Sequence, residues 1–183
     1  MARIPYVERD SASPEVQEVY RKLESNGAKV LNVYRMAGHS RAALLPMIKL
    51  GNSLMTRAEL DAKLREIVIL RMAVIGGSRY EWEQHAAIAR DVGVTEAQIA
   101  GVPEWEKSSA FDDRQRAVLT FADELARNGD VTDETFARVG GFLNSTEVVE
   151  LTMSTAFWST MAHFLVTLRI DVEEGGGVFG RKR

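Results

Sequence analysis

Apolar residues recur at helical spacing along almost the whole chain, and no stretch alternates apolar with polar residues in the manner of a half-buried strand. The polar residues between these segments mark where helices start and stop. Ser13-Pro14-Glu15 supplies an N-cap serine, a proline in the first helical position and an acid in the first turn. A helix is expected from there to about Leu23, broken by Ser25-Asn26-Gly27. A second begins near Ser40 and continues to about Met55, with Pro46 either opening or kinking it. Thr56-x-x-Glu59 reads as a capping box for a helix to about Ile75, and Ser78-x-x-Glu81 as another for a helix ending near Gly93. Thr95-x-x-Gln98 starts a short helix, and a long one is expected from about Asp112 to Arg127, stopped by Asn128-Gly129. Thr132 caps a helix to about Val139, and Asn144-x-x-Glu147 opens the last, which runs to about Arg169.

The segment 59–75 is apolar on nearly every face, through Leu60, Leu64, Ile67, Val68, Ile69 and Leu70 and on to Ile75. A helix that is hydrophobic all round is a buried one. Its apolar circumference exceeds what a helical domain of this size is expected to enclose, so subunit packing is expected to cover part of it. Glu66-Ile67-Val68-Ile69-Leu70 and Glu147-Val148-Val149-Glu150-Leu151 each follow a capped helix start, a loose internal likeness that suits an all-α domain of two helical lobes. One domain spans 1–183, with its core at about 5–172; the stretch from Glu173 to Arg183, EEGGGVFGRKR, reads as a flexible tail or an arm laid on a partner.

Composition narrows the function. The chain has 183 residues, 45% of them hydrophobic, and a formal net charge of −3, so it carries no electrostatic footprint for nucleic acid. No apolar run reaches the roughly 20 residues that span a bilayer, and the N-terminus lacks the apolar core of a signal peptide. A cytoplasmic protein without a membrane partner is expected. There is no cysteine, which removes disulfides, thiolate metal sites and thiol catalysis.

Glu66 stands out because it shares a helix face with Ala62, Ile69, Leu70 and Ala73. A charge there costs several kcal/mol unless it is paired or protonated. Its bland reading is a glutamate paired with Arg65 or Arg71; its functional one is a buried carboxylate, raised in pKa by desolvation, that holds or passes a proton. His85 lies four residues after Glu81, so the two share a face, and an imidazole there is either a structural contact or a proton carrier. Ser78 and Glu81 have a complete explanation as a capping box, though Glu81 could also orient His85. Tyr80 and Trp82 suit packing or substrate contact. Arg71 or Arg79 could hold a substrate carboxylate through a bidentate fork. His163, on an apolar helix, and His39, in a loop, read as structural. No zinc-protease or di-iron spacing is present, so no metal is expected, and no phosphate loop suggests a nucleotide cofactor.

Asn32-Val33-Tyr34-Arg35-Met36-Ala37-Gly38-His39-Ser40, then Leu60-x-x-x-Leu64-Arg65-Glu66-Ile67-Val68-Ile69-Leu70-Arg71, Tyr80-Glu81-Trp82-x-x-His85 and Gly93-Val94 together resemble the carboxymuconolactone decarboxylase family, whose superfamily includes alkylhydroperoxidase D. The resemblance implies an all-helical fold assembled as trimers or hexamers, with the motif helices near subunit contacts. In the peroxidase branch a Cys-x-x-Cys pair precedes the histidine; the matching positions here are Ser78 and Glu81, while Glu66 and His85 match its proton relay. Serine has no disulfide chemistry, so thiol peroxidase activity is excluded. The resemblance thus implies a cofactor-free lyase or isomerase acting on a small carboxylated, lactone-like metabolite, with Glu66 and His85 as the proton carriers; the residue reading adds Glu81 to them and places Tyr80, Trp82, Arg71 and Ser78 around the substrate. The alternative is a non-catalytic small-molecule-binding or assembly protein on the same fold.

Overall fold

The structure, a computed structural model, describes residues 1–173, and the rest of the expected tail lies outside the described residues. The described chain is helical without strands. In chain order the helices are α1 (Pro14–Ser25), α2 (Asn32–Ala37), α3 (Arg41–Thr56), α4 (Ala62–Gly76), α5 (Arg79–Asp91), α6 (Glu96–Gly101), α7 (Asp113–Asn128), α8 (Asp133–Gly140) and α9 (Ser145–Leu168). Short 3-10 turns lie at Arg9–Ser11 and Val102–Lys107.

Most starts are capped by the residues the pattern singles out. Ser13, Ser40, Ser78 and Thr132 each accept a backbone N–H of the first turn, and Thr95, Asp112 and Asn144 complete reciprocal capping boxes with Gln98, Gln115 and Glu147. Two expectations fail. Thr56 does not cap α4: its hydroxyl donates to the Asn52 carbonyl inside α3 at 2.7 Å. The cap is Asp61, whose carboxylate accepts from the amides of Lys63 and Leu64, two donors where a threonine hydroxyl satisfies one. The box at Ser78 is only half made, since the Ser78 amide donates to the Ala73 carbonyl and leaves the Glu81 side chain with no capping role. Pro46 lies within α3, which continues through it, and α2 is a helix that the hydrophobic pattern does not announce.

α4 is the axis of the molecule. It packs against α9, α5 and α7, and Ile67, Val68, Ile69 and Leu70 are all fully buried. The chain's own helices therefore bury residues 64–73 of it, while Val74 and Ile75 stay partly exposed. Apolar side chains are left exposed elsewhere, with Val149 and Met153 on α9 and Leu45 and Leu50 on α3. The break after α4 has two parts. Gly77 takes the left-handed backbone conformation that ends the helix, at φ 66°. A Cβ on Gly76 would fall 2.5 Å from that of Ala162, so this glycine lets α4 and α9 meet. The reversal lays α5 back along α4 and brings their polar residues together. Among the described residues, no helix is long and apolar enough to cross a membrane.

Candidate active site

Glu66 on α4 and His85 on α5 meet in the core, 0% and 1% exposed. His85 Nδ1 donates to Glu66 Oε2 at 2.8 Å. That bond selects the tautomer in which Nε2 is the basic nitrogen. Arg65 Nε stands 3.5 Å from the other Glu66 oxygen, so the carboxylate has a cation on one side and an imidazole on the other. The edge of Trp158, from α9, packs on His85 with ring centroids 4.3 Å apart at 72°. A buried polar group without a partner costs about 1–3 kcal/mol, and cores avoid such groups. Here they gather: Arg65 Nε, Glu66 Oε1, both carboxyl oxygens of Glu81, Gln84 Oε1, Ser154 Oγ and Trp158 Nε1 are all buried without a hydrogen bond. All of them belong to α4, α5 or α9.

Glu81 differs from Glu66 in what surrounds it. It is buried one helical turn before His85 with neither cation nor donor on its carboxyl, and burial pushes its pKa well above the usual carboxylate value. A neutral carboxylic acid holds a proton that it can give up. The half-made box at Ser78 makes this possible, because a completed box would draw the side chain back to the helix N-terminus. Ser78 itself is explained by the cap.

The remaining sequence candidates fall outside this cluster. Arg71 forms a bidentate pair with Asp123, at 2.5 and 2.7 Å, and its third donor serves the carbonyls of Val102 and Pro103. Its fork is occupied by the fold. Arg79 is exposed and pairs with Glu83 along α5. Tyr80 is buried, and its hydroxyl donates to Glu173 at 2.6 Å, while Trp82 packs half-buried against the core group that includes Ile67, Leu70 and Ala86. His163 is exposed, and His39, also exposed, sits 2.8 Å from the Pro5 carbonyl. Among the described residues, Glu66, Glu81 and His85 form no metal-binding group.

The sequence reading named Arg65 only as a possible partner of Glu66, which it is at 3.5 Å, and passed over Gln84, Ser154 and Trp158. The last two come from a helix whose approach to α5 is a tertiary fact. Beside the cluster lies a cavity of about 650 Å³, within the size range of small-ligand sites. Apolar side chains of α1, α3 and α9 line it, and Arg65 and Trp158 form the wall it shares with the cluster.

Residues 42–124 match the carboxymuconolactone decarboxylase family. No curated protein matches the chain. Among solved structures, an uncharacterized peroxidase-related protein with an alkylhydroperoxidase AhpD core, from Ralstonia eutropha JMP134, is 19% identical with a TM-score of 0.79, covering 94% of this chain and 93% of that one. An uncharacterized peroxidase-related protein from Silicibacter sp. TM1040 is 18% identical, with a TM-score of 0.74 and 87% of each chain covered. The debrominase Bmp8, in complex with 2,3,4-tribromopyrrole, is 16% identical, with a TM-score of 0.74 and 94% of each chain covered. These likenesses establish the alkylhydroperoxidase D-like fold.

Proposed function

We propose, from the match of residues 42–124 to the carboxymuconolactone decarboxylase family and from the site's geometry, that the chain is an acid/base enzyme, a lyase or isomerase acting on a small carboxylated, lactone-like metabolite. The observation that carries this reading is the crowd of unpartnered buried polar atoms around the Glu66–His85 pair, beside a ligand-sized cavity. A core held together for stability alone satisfies such atoms or replaces them.

The roles follow from the surroundings. Glu66 orients His85, and as a carboxylate it stabilises the imidazolium that forms when Nε2 takes a proton. Glu81 carries the proton to be returned. For an isomerisation, His85 removes a proton from a carbon beside a carbonyl, and Glu81 protonates the conjugate carbon. For a decarboxylation, the bond to the departing carboxylate breaks, its electron pair moves into the lactone carbonyl, and the resulting carbanion takes a proton from Glu81. Trp158 borders both His85 and the cavity, so its side chain is the door between them.

One observation favours a binding role without turnover: neither Glu66 nor His85 lines the cavity. The two readings separate on a panel of carboxylated lactones and their ring-opened relatives. The enzyme reading expects turnover that His85→Ala lowers by about 10²–10⁴-fold. Equal turnover by both proteins removes His85 from the chemistry. Saturable binding of a panel member with no turnover selects the binding role.

A further inference from the structure

The cavity has a charge pattern opposite to that of the molecule. The whole chain carries a formal charge of −3. Its lining includes three cationic side chains, Lys22, Lys29 and Arg65, against one carboxylate, Asp91. Lys22 and Lys29 are exposed, and Lys22 pairs with Glu18. Arg65 is different. It is about 95% buried, its Nε has no hydrogen-bond acceptor, and its ion pair with Glu66 is long at 3.5 Å. The rest of the wall is mostly apolar, with Leu31, Ile48, Met55, Phe157 and Met161 among its members.

A buried guanidinium facing an apolar chamber is expensive unless an anion meets it. Its planar donors match a carboxylate in a two-point fork. We propose that Arg65 is the anchor of an anion subsite, and that the cavity takes an apolar-bodied monocarboxylic acid, aliphatic or aromatic, with its carboxylate on Arg65 and its body against the side chains of α3 and α9. This rests on the reading of the site given above and sharpens it: the favoured substrate is an amphiphilic acid rather than a compact, uniformly polar one. The placement also bears on chemistry. An acid held at Arg65 has its first carbons at Trp158, beside His85. The exposed lysines on α1 and in the loop after it draw anions toward the chamber without fixing them.

Binding is tested without reference to turnover. Octanoate, decanoate and 1-naphthoate, each paired with its neutral primary amide, are titrated into the full chain by calorimetry, with Trp fluorescence as a second readout. The expected result is saturable one-to-one binding of the acids, at least tenfold tighter than the amides. Arg65→Gln is expected to abolish that preference, and Arg65→Lys to retain part of it. Ile48→Trp, which fills the chamber from α3 without touching Arg65, is expected to weaken acid and amide alike by at least tenfold. Acids and amides binding equally would overturn the proposal, as would binding that Ile48→Trp leaves unchanged. If Arg65→Gln does not fold, the acid–amide ratio and Ile48→Trp decide alone. His85→Ala separates this proposal from the enzymatic one. Acid binding retained in that variant, with no turnover by the native protein, keeps the subsite and discards the reaction; turnover of lactones with no acid preference does the reverse.

Discussion

Helix α4 carries three buried charged residues, and the core treats Arg71 in the opposite way to the neighbouring Arg65 and Glu66. Arg71 has every nitrogen placed: Asp123 takes two, and the carbonyls of Val102 and Pro103 take the third. Asp123 is as fully used, with Trp105 Nε1 at 3.4 Å and Arg127 at 3.1 Å completing its shell. That pair ties α4 to α7 and to the turn at Val102–Lys107. Glu66, on the other side of the same helix, keeps one oxygen without a hydrogen bond beside an Arg65 Nε that also lacks one, and neither carboxyl oxygen of Glu81 has a hydrogen bond. Burial is alike in the two regions, so burial alone does not tell structure from chemistry. Satisfaction does: the region with every polar atom matched has no capacity left for a ligand, and the unmatched region does.

The largest effect expected from this contrast is at the matched pair. Asp123→Ala strands the Arg71 guanidinium in the core, and removing one partner of a buried pair costs about 3–5 kcal/mol. The denaturant midpoint should fall accordingly, with the slope of the transition unchanged. A loss under about 1 kcal/mol would put the pair with surface ion pairs and break the comparison.

The same contrast explains what could be read from the chain and what could not. Caps are local: Ser13 announces its helix through Pro14 and Glu15, and Thr95 and Asn144 announce theirs through Gln98 and Glu147, three positions on. Thr56 misleads because a competing acceptor, Asp61, lies five residues ahead and satisfies two amides. Glu66 and His85 were legible because one is a charge in an apolar run and the other follows a glycine break that folds α5 back on α4. Arg71 was misread because its partner, Asp123, lies 52 residues away. Arg65 was read only as a partner for Glu66, because nothing in the sequence shows that α1, α3 and α9 leave a chamber in front of it. Glu81 was read both as a capping residue and as a proton handler, and of the capping box only one bond forms. In each case the missing information was the approach of a helix distant in sequence.

Glu81 sharpens the comparison through pH. Below the ordinary carboxylate value of 4.5, folded and unfolded chains both hold its proton and the site contributes no pH dependence. Above it the unfolded chain releases the proton while the folded chain keeps it, because burial raises the folded pKa. Folding stability therefore declines as pH rises from that value toward the raised pKa, by up to about 1.4 kcal/mol for each pH unit. Glu81→Gln keeps the shape and removes the titration. The variant should gain on the native protein progressively between pH 5 and 8 in chemical denaturation, and lose activity on any substrate that needs the returned proton. Parallel stability profiles would mean that Glu81 is already ionised in the fold, and would remove it as a proton donor.

The smallest effect is expected where the chain's last described residue meets the site's back wall. Glu173 accepts from the Tyr80 hydroxyl at 2.6 Å, from the Gln84 side-chain amide at 2.7 Å and from the Asn32 backbone amide at 2.7 Å. Those contacts account for Tyr80, whose hydroxyl pKa is pushed up by burial first and by the Glu173 carboxylate second. They also hold Gln84, one residue before His85, by the end of its side chain. Glu173 is matched like Asp123 but only half-buried, so water replaces part of what its loss removes. Glu173→Gln should lower stability by about 1 kcal/mol, the net worth of a single hydrogen bond. The local readouts are sharper than the global one: the Asn32 amide should exchange faster, and the Tyr80 hydroxyl should titrate lower, while amides of the helix capped by Thr95 stay unchanged. Unchanged exchange at Asn32 would show that Glu173 rests on the site without holding it.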